Sequence, residues 1–153
     1  MTYALAEVNI ARMLAPLDSP IMAGFVAGLD PLNALAERSP GFIWRLKTDD
    51  GNATALRPYE DDYIIVNLTM WTDIDALFQY TYASDHVDVF RQRSEWFERM
   101  TLPYMTIWYV DVDHRPTPAE ARERLEHLQA HGPTPYAFTF KKRFSVEDLL
   151  KTT

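Results

Sequence analysis

The chain has 153 residues, of which 47% are apolar and 24% are charged, and its formal net charge is −7. This length suits one domain that buries a core without a metal or a disulfide, so we predict a single domain over residues 1–153. The absence of cysteine excludes disulfides, thiolate metal sites and a cysteine nucleophile. The acidic balance argues against nucleic acid and anionic membranes as partners, which leaves small molecules and other proteins.

Signals for export and for membrane insertion are both missing from the sequence. The first residues show no basic region followed by an apolar one, as a signal peptide would. The apolar runs all fall short of the roughly 18 residues that a membrane span requires. We therefore expect a cytoplasmic protein.

The first half of the chain predicts a strand, a helix in two parts and two further strands. The helix begins at Ser19-Pro20, and we expect a break in it near Gly28 and Asp30-Pro31. Alternating apolar residues indicate the strands, and a segment rich in Asp, Gly and Asn separates the last two. The predicted elements are a strand over 3–10, a helix over 20–38, strands over 42–47 and 63–71, and a turn over 48–62.

The second half begins with a capping-box pattern at Thr72 and Asp75. Helical spacing then continues to about Met100, with room for a break at Ser84-Asp85. The remaining elements are a strand over 105–112, a helix from Thr117 to Gly132-Pro133, a short strand over 138–140 and a helical turn over 146–151. The order β-α-β-β-α-β with an appended α-β predicts a ferredoxin-like α+β fold.

Two predicted strands carry polar side chains on one face only. Glu7 and Asn9 alternate with aliphatic residues on the first strand. Asn67, Thr69 and Trp71 do the same on the third. Such a face is wet, bound to a ligand or buried in a subunit interface, and the pattern leaves these alternatives open.

His86 and Arg93 are the candidate catalytic residues. On a helical wheel both lie in the middle of the apolar stripe of the helix predicted after Ser84-Asp85. Two polar groups surrounded by aromatic rings are typical of a small-molecule pocket. The alternative is structural, with His86 satisfied locally and Arg93 paired with a carboxylate such as Glu7, because an unpaired buried charge is costly.

Metal sites and nucleotide sites have weaker support. His114 follows Asp111 and Asp113, but alternation sends neighbouring side chains to opposite faces of a strand. His127 and His131 have helical i, i+4 spacing without a third ligand. The sequence has no Gly-rich phosphate loop, no H-E-x-x-H and no G-x-S-x-G motif. We predict no metal site.

Four segments resemble the family called domain of unknown function 3291. They occur in the same order as in the family and cover nearly the whole chain. One departure is Trp108-Tyr109, where related sequences more often have two tryptophans. The segments are Asn33-Ala-Leu-Ala-Glu-Arg-Ser-Pro-Gly-Phe-Ile-Trp-Arg-Leu46, His86 through Arg93 to Glu95-Trp96-Phe97, Ile107-Trp108-Tyr109 followed by Arg115-Pro-Thr-Pro-Ala-Glu120, and Gly132-Pro133-Thr134 before Ala137-Phe138-Thr139-Phe140.

This family is similar to antibiotic-biosynthesis monooxygenases. The resemblance implies a ferredoxin-like domain that forms a homodimer, a dimeric α+β barrel in which two sheets pack together. It also implies a ligand between the sheet and its helices, where His86 and Arg93 should point. The wider superfamily includes cofactor-independent oxygenases, haem enzymes and isomerases, so the resemblance specifies the fold more closely than the function.

Three functions compete on this basis. The first is an enzyme, a monooxygenase without a cofactor, in which Arg93 stabilises an enolate or phenolate and His86 moves a proton. The second is a dimeric module that binds a metabolite without changing it. The third is a haem protein with His86 as the axial ligand. The residues predicted to bind a small apolar or aromatic substrate are Trp44, Asn67, Phe90, Trp96, Phe97 and Trp108.

Overall fold

A four-stranded antiparallel sheet forms the centre of the structure, a computed structural model that describes residues 2–47, 59–83 and 92–151. Its strands lie in the order β2-β3-β1-β4. The element order and the antiparallel pairing confirm the predicted ferredoxin-like α+β class. The strands are β1 (Tyr3–Arg12), β2 (Phe42–Arg45), β3 (Ile64–Trp71) and β4 (Met105–Asp111).

Helices lie on both faces of the sheet. A 3₁₀ helix at Pro20–Met22 leads directly into α1, and α3 is a single turn. Among the described helices, none has the length and apolar character of a membrane span. The helices are α1 (Ala23–Glu37), α2 (Ile74–Ala83), α3 (Arg93–Trp96), α4 (Pro118–His131) and α5 (Val146–Lys151).

Strand alternation divides the core into two layers, as the sequence predicts. The aliphatic face of β1 and β3 packs against α4, whose buried residues are Ala121, Leu125 and Leu128. On the opposite face, Leu5 and Trp71 pack with Leu77 of α2. This second face carries Glu7 and Asn9, so the polar face lies under helices of the same chain.

The ends of α4 agree with the sequence prediction. Thr117 is the N-cap, and its side chain accepts a hydrogen bond from the backbone N–H of Glu120 at 3.1 Å. Pro118 occupies the first turn, where a missing N–H has no cost. Gly132 ends the helix with φ +75°, a backbone conformation that favours glycine.

The break in the first helix is present, but it lies earlier than predicted. The 3₁₀ segment ends at Met22, and α1 then continues without interruption through Pro31. Proline removes the N–H that would bond to the carbonyl of Ala27. Both residues are exposed, so that carbonyl can bond to water. The cap of α2 also differs from the prediction. The side chain that accepts a hydrogen bond from a backbone N–H of the first turn, that of Ala76 at 2.8 Å, belongs to Asp73 and not to Thr72.

The predicted helix to Met100 is wrong at its C-terminal end. Phe97 is extended, with φ −129° and ψ 147°, and it pairs with Met13 in an isolated antiparallel bridge. A hydrogen bond from the backbone N–H of Leu14 to the carbonyl of Trp96 adds to this pairing. The strand predicted over 138–140 is also wrong, since only a single bridge joins Phe138 to Ile107. Most of the predicted turn, residues 48–58, lies outside the described residues.

Candidate functional site

A cavity of about 480 Å³ lies between the polar face of the sheet and helices α1, α2 and α3. Ligand pockets in proteins typically measure about 300–1,000 Å³. The floor comes from β1 and β3, which contribute Glu7, Asn9, Asn67 and Thr69. A polar floor under largely apolar walls is the usual arrangement of a small-molecule site.

Helix α1 forms one wall of the cavity. Phe25, Leu29, Leu32 and Ala36 recur at helical spacing and all line the cavity. Of the residues of α1, only Ala36 is fully buried. The apolar face of α1 therefore borders the cavity rather than packing fully against the described part of the chain.

An aromatic cluster closes one end of the cavity. The ring centroid of Phe25 lies 5.8 Å from that of Trp96 and 5.0 Å from that of Phe97. Gly24 allows the close approach of α1, because a Cβ at this position would lie 3.2 Å from the Trp96 ring. Trp96 is only 6% exposed, so this end of the cavity is lined by buried aromatic surface.

Glu7 is the central polar residue of the floor. Its side chain is buried, and both of its oxygens accept hydrogen bonds. Asn9 donates from Nδ2 to Oε1 at 2.9 Å, and Thr69 donates from Oγ1 to Oε2 at 3.3 Å. Trp71 donates from Nε1 to the hydroxyl of Thr69 at 2.9 Å. The carboxyl group is therefore held in one orientation.

Burial raises the pKa of Glu7 from its ordinary value of 4.5 to about 7, although the bonds from Asn9 and Thr69 act in the opposite direction. Near neutral pH the protonated and ionised forms are then both populated, as a general acid or base requires. Burial and the charge of Glu7 together raise the pKa of Tyr80, which also lines the cavity. Tyr80 therefore remains a neutral phenol at physiological pH.

Two arginines line the cavity at different places. The guanidinium of Arg93 lies over the ring of Tyr104 at 4.3 Å and near the ring of Phe97 at 5.9 Å. Arg45 is only 11% exposed at its side chain, and its Nη2 lies 3.2 Å from Oε1 of Glu37. Among the described residues, Glu7 accepts hydrogen bonds from Asn9 and Thr69, and no ion pair joins it to Arg93.

The structure brings four of the predicted site residues together. Arg93, Asn67, Trp96 and Phe97 all line the cavity. His86 and Phe90 lie outside the described residues, so their roles stay predictions. The haem hypothesis depends on His86 and stays a prediction with it.

Trp44 and Trp108 do not belong to this cavity. Both pack on the opposite face of the sheet, in the cluster that α4 covers. Trp108 is fully buried, and its Nε1 donates to Oε2 of Glu120 at 3.1 Å. Trp108 was predicted to bind the substrate, but the structure places it in the core and not in the cavity.

The sequence prediction did not include Glu7, Arg45 and Tyr80 among the site residues, although it placed Glu7 on a polar sheet face that could bind a ligand. Glu7 had a signal, since it is an acid inside the otherwise apolar run from Ala4 to Val8. Arg45 had none, because the face to which each residue of β2 points depends on a register shift between Phe42 and Trp44.

The three histidines within the described ranges lie away from the cavity. Nε2 of His114 lies 2.7 Å from Oε1 of Glu120, at the start of α4. His127 and His131 stack on one another with ring centroids 4.5 Å apart. In the part of the chain that the structure describes, no three acidic or histidine side chains form a metal-binding group.

Comparison with known proteins identifies the family. The family model called domain of unknown function, DUF3291, matches residues 4–152. The chain belongs to this family. The predicted family resemblance is thus confirmed. No curated protein matches the chain.

Solved structures with a similar arrangement of elements have low sequence identity to the chain. SnoaB, a cofactor-independent oxygenase from Streptomyces nogalater, is 18% identical with a TM-score of 0.48, covering 75% of this chain and 96% of its own. PA3566 from Pseudomonas aeruginosa is 15% identical with a TM-score of 0.48, covering 76% and 98%. Rv0793 from Mycobacterium tuberculosis is 14% identical with a TM-score of 0.46, covering 74% and 99%. Likenesses of this size carry no information about activity.

Proposed function

We propose that the chain is an enzyme that binds a small, largely apolar or aromatic molecule in the cavity, and that Glu7 exchanges a proton with it. The observation that carries this proposal is the buried carboxyl group on the cavity floor, with a pKa of about 7. Groups with such shifted pKa values cluster at functional sites.

The reaction that we propose is oxygen addition without a cofactor, which the family resemblance implies. A dihydroxynaphthalene serves as a test substrate. Glu7 takes the proton of a hydroxyl group, and the resulting naphtholate supplies the electrons that reduce O₂. One oxygen atom enters the ring, the other leaves as water, and the product is a hydroxynaphthoquinone. The substrate is thus the reductant, and O₂ is the oxidant.

The cavity residues have distinct roles in this proposal. Arg93 stabilises the negative charge of the naphtholate, because a cation among aromatic rings and away from bulk solvent acts strongly on a developing anion. Trp96 and Phe97 hold the aromatic body, and Asn67 orients its polar edge. His86, which lies outside the described residues, stays a prediction as a second proton carrier.

Oxygen uptake tests the proposal directly. We expect purified protein to consume O₂ with a dihydroxynaphthalene, and Glu7→Gln to lower the rate by about 10²-fold or more, the usual contribution of a general base. Glu147→Gln is the matched control, since Glu147 is exposed on α5. Equal uptake by wild type and Glu7→Gln would contradict the role of Glu7.

A binding module without catalysis uses the same cavity and is the competing proposal. It predicts that the melting temperature rises with the logarithm of the ligand concentration above the dissociation constant, and that the ligand is recovered intact. Product analysis by mass spectrometry separates the two functions, because only an oxygenase adds the mass of oxygen to its ligand. A homodimer also stays a proposal, and light scattering against the chain mass of 17.7 kDa tests it.

A further inference from the structure

The lining of the cavity is basic, although the chain as a whole is acidic. Arg45, Arg93 and Lys141 line it, and Glu7 is the one acid among the described lining residues. The net charge of the whole chain is −7. An excess of cations inside the cavity of an acidic protein favours an anionic ligand by charge complementarity.

The sheet places one of these cations in line with Glu7. Arg45 on β2 pairs with Thr69 on β3, and Thr69 pairs with Glu7 on β1. Residues paired across an antiparallel sheet point to the same face. Neighbouring strands lie about 4.8 Å apart, so the Cα atoms of Arg45 and Glu7 are about 10 Å apart. Arg45 and Glu7 thus flank Thr69 on the floor of the cavity.

Arg45 is also prepared to receive a carboxylate. Its Nε and Nη2 both approach a single oxygen, Oε1 of Glu37, at 3.2 Å. A guanidinium has five N–H donors, so this contact uses only part of its capacity. The side chain of Glu37 is 45% exposed, which makes it a solvated and replaceable partner.

We propose that the ligand is an amphipathic organic anion whose carboxylate pairs with Arg45 and whose apolar body extends to the aromatic cluster at Trp96. This inference rests on the proposed function, because it concerns the same cavity. The anion meets Arg45 without touching Glu7, because Thr69 lies between the two. Glu7 is then left to accept a proton from a hydroxyl group elsewhere on the ligand. A cationic ligand would instead meet three positive side chains and a single acid, Glu7, which is only partly ionised at pH 7.

Three naphthalene probes that differ only in charge test the inference. They are 2-naphthoate, 2-naphthalenemethanol and 2-naphthylmethylammonium, titrated at pH 7 into the full chain by calorimetry. We expect the carboxylate to bind about tenfold more tightly than the alcohol, as a charge-assisted pair predicts. The ammonium should bind most weakly.

Variants assign this preference to Arg45. Arg45→Met should remove the advantage of the carboxylate over the alcohol. Arg122→Met should keep it, because Arg122 pairs with Glu126 on the surface of α4. Glu37→Gln leaves Arg45 in place and removes its competing partner, so it should tighten naphthoate binding severalfold without changing alcohol binding. This second variant tests the pairing even if Arg45→Met does not fold.

The outcomes separate this inference from the proposed function. Equal or tighter binding of the alcohol would contradict the proposal that the ligand is an organic anion. A carboxylate preference that persists in Arg45→Met would contradict the pairing with Arg45. If that alcohol binding disappears in Leu32→Trp, which fills the cavity, the cavity remains the ligand site. Failure of all three probes to bind would instead count against the ligand cavity itself.

Discussion

Thr69 donates a hydrogen bond from its Oγ1 to Oε2 of Glu7, at 3.3 Å across the paired strands β3 and β1. The same hydroxyl accepts the indole N–H of Trp71 at 2.9 Å. The hydroxyl of Thr69 thus accepts from the indole of Trp71 and donates to the carboxyl group of Glu7. The proton affinity of Glu7 therefore depends on a balance between burial and donors within the sheet.

The first prediction concerns stability as a function of pH. Below about pH 4.5 the folded and unfolded chains both hold the proton of Glu7, but between pH 4.5 and 7 only the folded chain keeps it. Rising pH therefore removes stability from the wild type, and the loss is complete above pH 7. The variant Glu7→Gln has no titratable group at this position, so it should not lose stability in the same way. From pH 5.5 to pH 8 the free energy of unfolding of the wild type should therefore fall by about 2 kcal/mol relative to that of Glu7→Gln.

Urea unfolding of both proteins at the two pH values measures this difference. Glu147→Gln is the control, because its carboxylate is exposed and should show no such difference. A constant difference between wild type and Glu7→Gln across the range would show that the pKa of Glu7 is not raised.

The second prediction concerns Thr69→Val. The change removes one donor from Glu7, so the pKa of the Glu7 carboxyl should rise further above 7, as carbon-detected NMR titration would show. It also leaves the buried indole N–H of Trp71 without its acceptor, which costs about 1–3 kcal/mol of unfolding free energy. Thr106→Val is the matched control, because Thr106 is also buried but bonds to the carbonyl of Phe138. An unchanged Glu7 titration in Thr69→Val would refute the hydrogen bond.

The sequence predicted the two faces of the sheet because side chains in a strand alternate strictly. Glu7 and Asn67 were separated correctly from Val8 and Leu68, which pack under α4. The convergence of Glu7 with Arg45 was not predictable, because it depends on strand register and on a shift within β2. Such pairing is a long-range property that local periodicity does not contain.

Tertiary contacts also explain why two predictions, the helix to Met100 and the role of Trp108, were wrong. Helical spacing continues through Trp96 to Met100, yet the chain leaves the helix at Phe97 to pair with Met13. Trp108 was predicted to bind a ligand because the sequence did not show which face of the sheet α4 covers. In the structure α4 covers the face that carries Trp108. Aromatic composition alone does not distinguish a core ring from a ring in a cavity.

The third prediction compares two glycines with positive φ. Gly41 has φ +85°, and a Cβ there would clash with Ala76 of α2 and lie 2.8 Å from Oγ1 of Thr72. Gly132 has φ +75°, and a Cβ there would meet nothing within 4 Å. Gly132→Ala should cost about 2 kcal/mol of unfolding free energy, because φ +75° with ψ −177° is a region that glycine alone adopts readily. Gly41→Ala should cost about 2 kcal/mol more than that, because it adds the clash with α2 to the strain of a positive φ. Thermal unfolding of both variants measures the difference, and equal costs would contradict the clash with α2.

The last prediction separates the two tryptophans that the sequence could not distinguish. Trp96 lines the cavity, whereas Trp108 is fully buried beneath α4 and donates to Glu120. Trp96→Phe should weaken the binding of a dihydroxynaphthalene about fivefold, because the smaller ring loses about 1 kcal/mol of aromatic contact. Trp108→Phe should leave that affinity within about twofold but lower the free energy of unfolding by about 2 kcal/mol, because it opens a void and leaves Glu120 without its indole donor.

Titration calorimetry and urea unfolding of the same two variants make this comparison complete. Trp96→Phe should lower the affinity more than Trp108→Phe does. Trp108→Phe should lower the free energy of unfolding more than Trp96→Phe does. Weakened binding in Trp108→Phe with unchanged binding in Trp96→Phe would place the ligand on the α4 side of the sheet. That result would contradict the proposal that the ligand binds in the cavity bordered by Glu7, because no ligand can contact both tryptophans through an intact sheet.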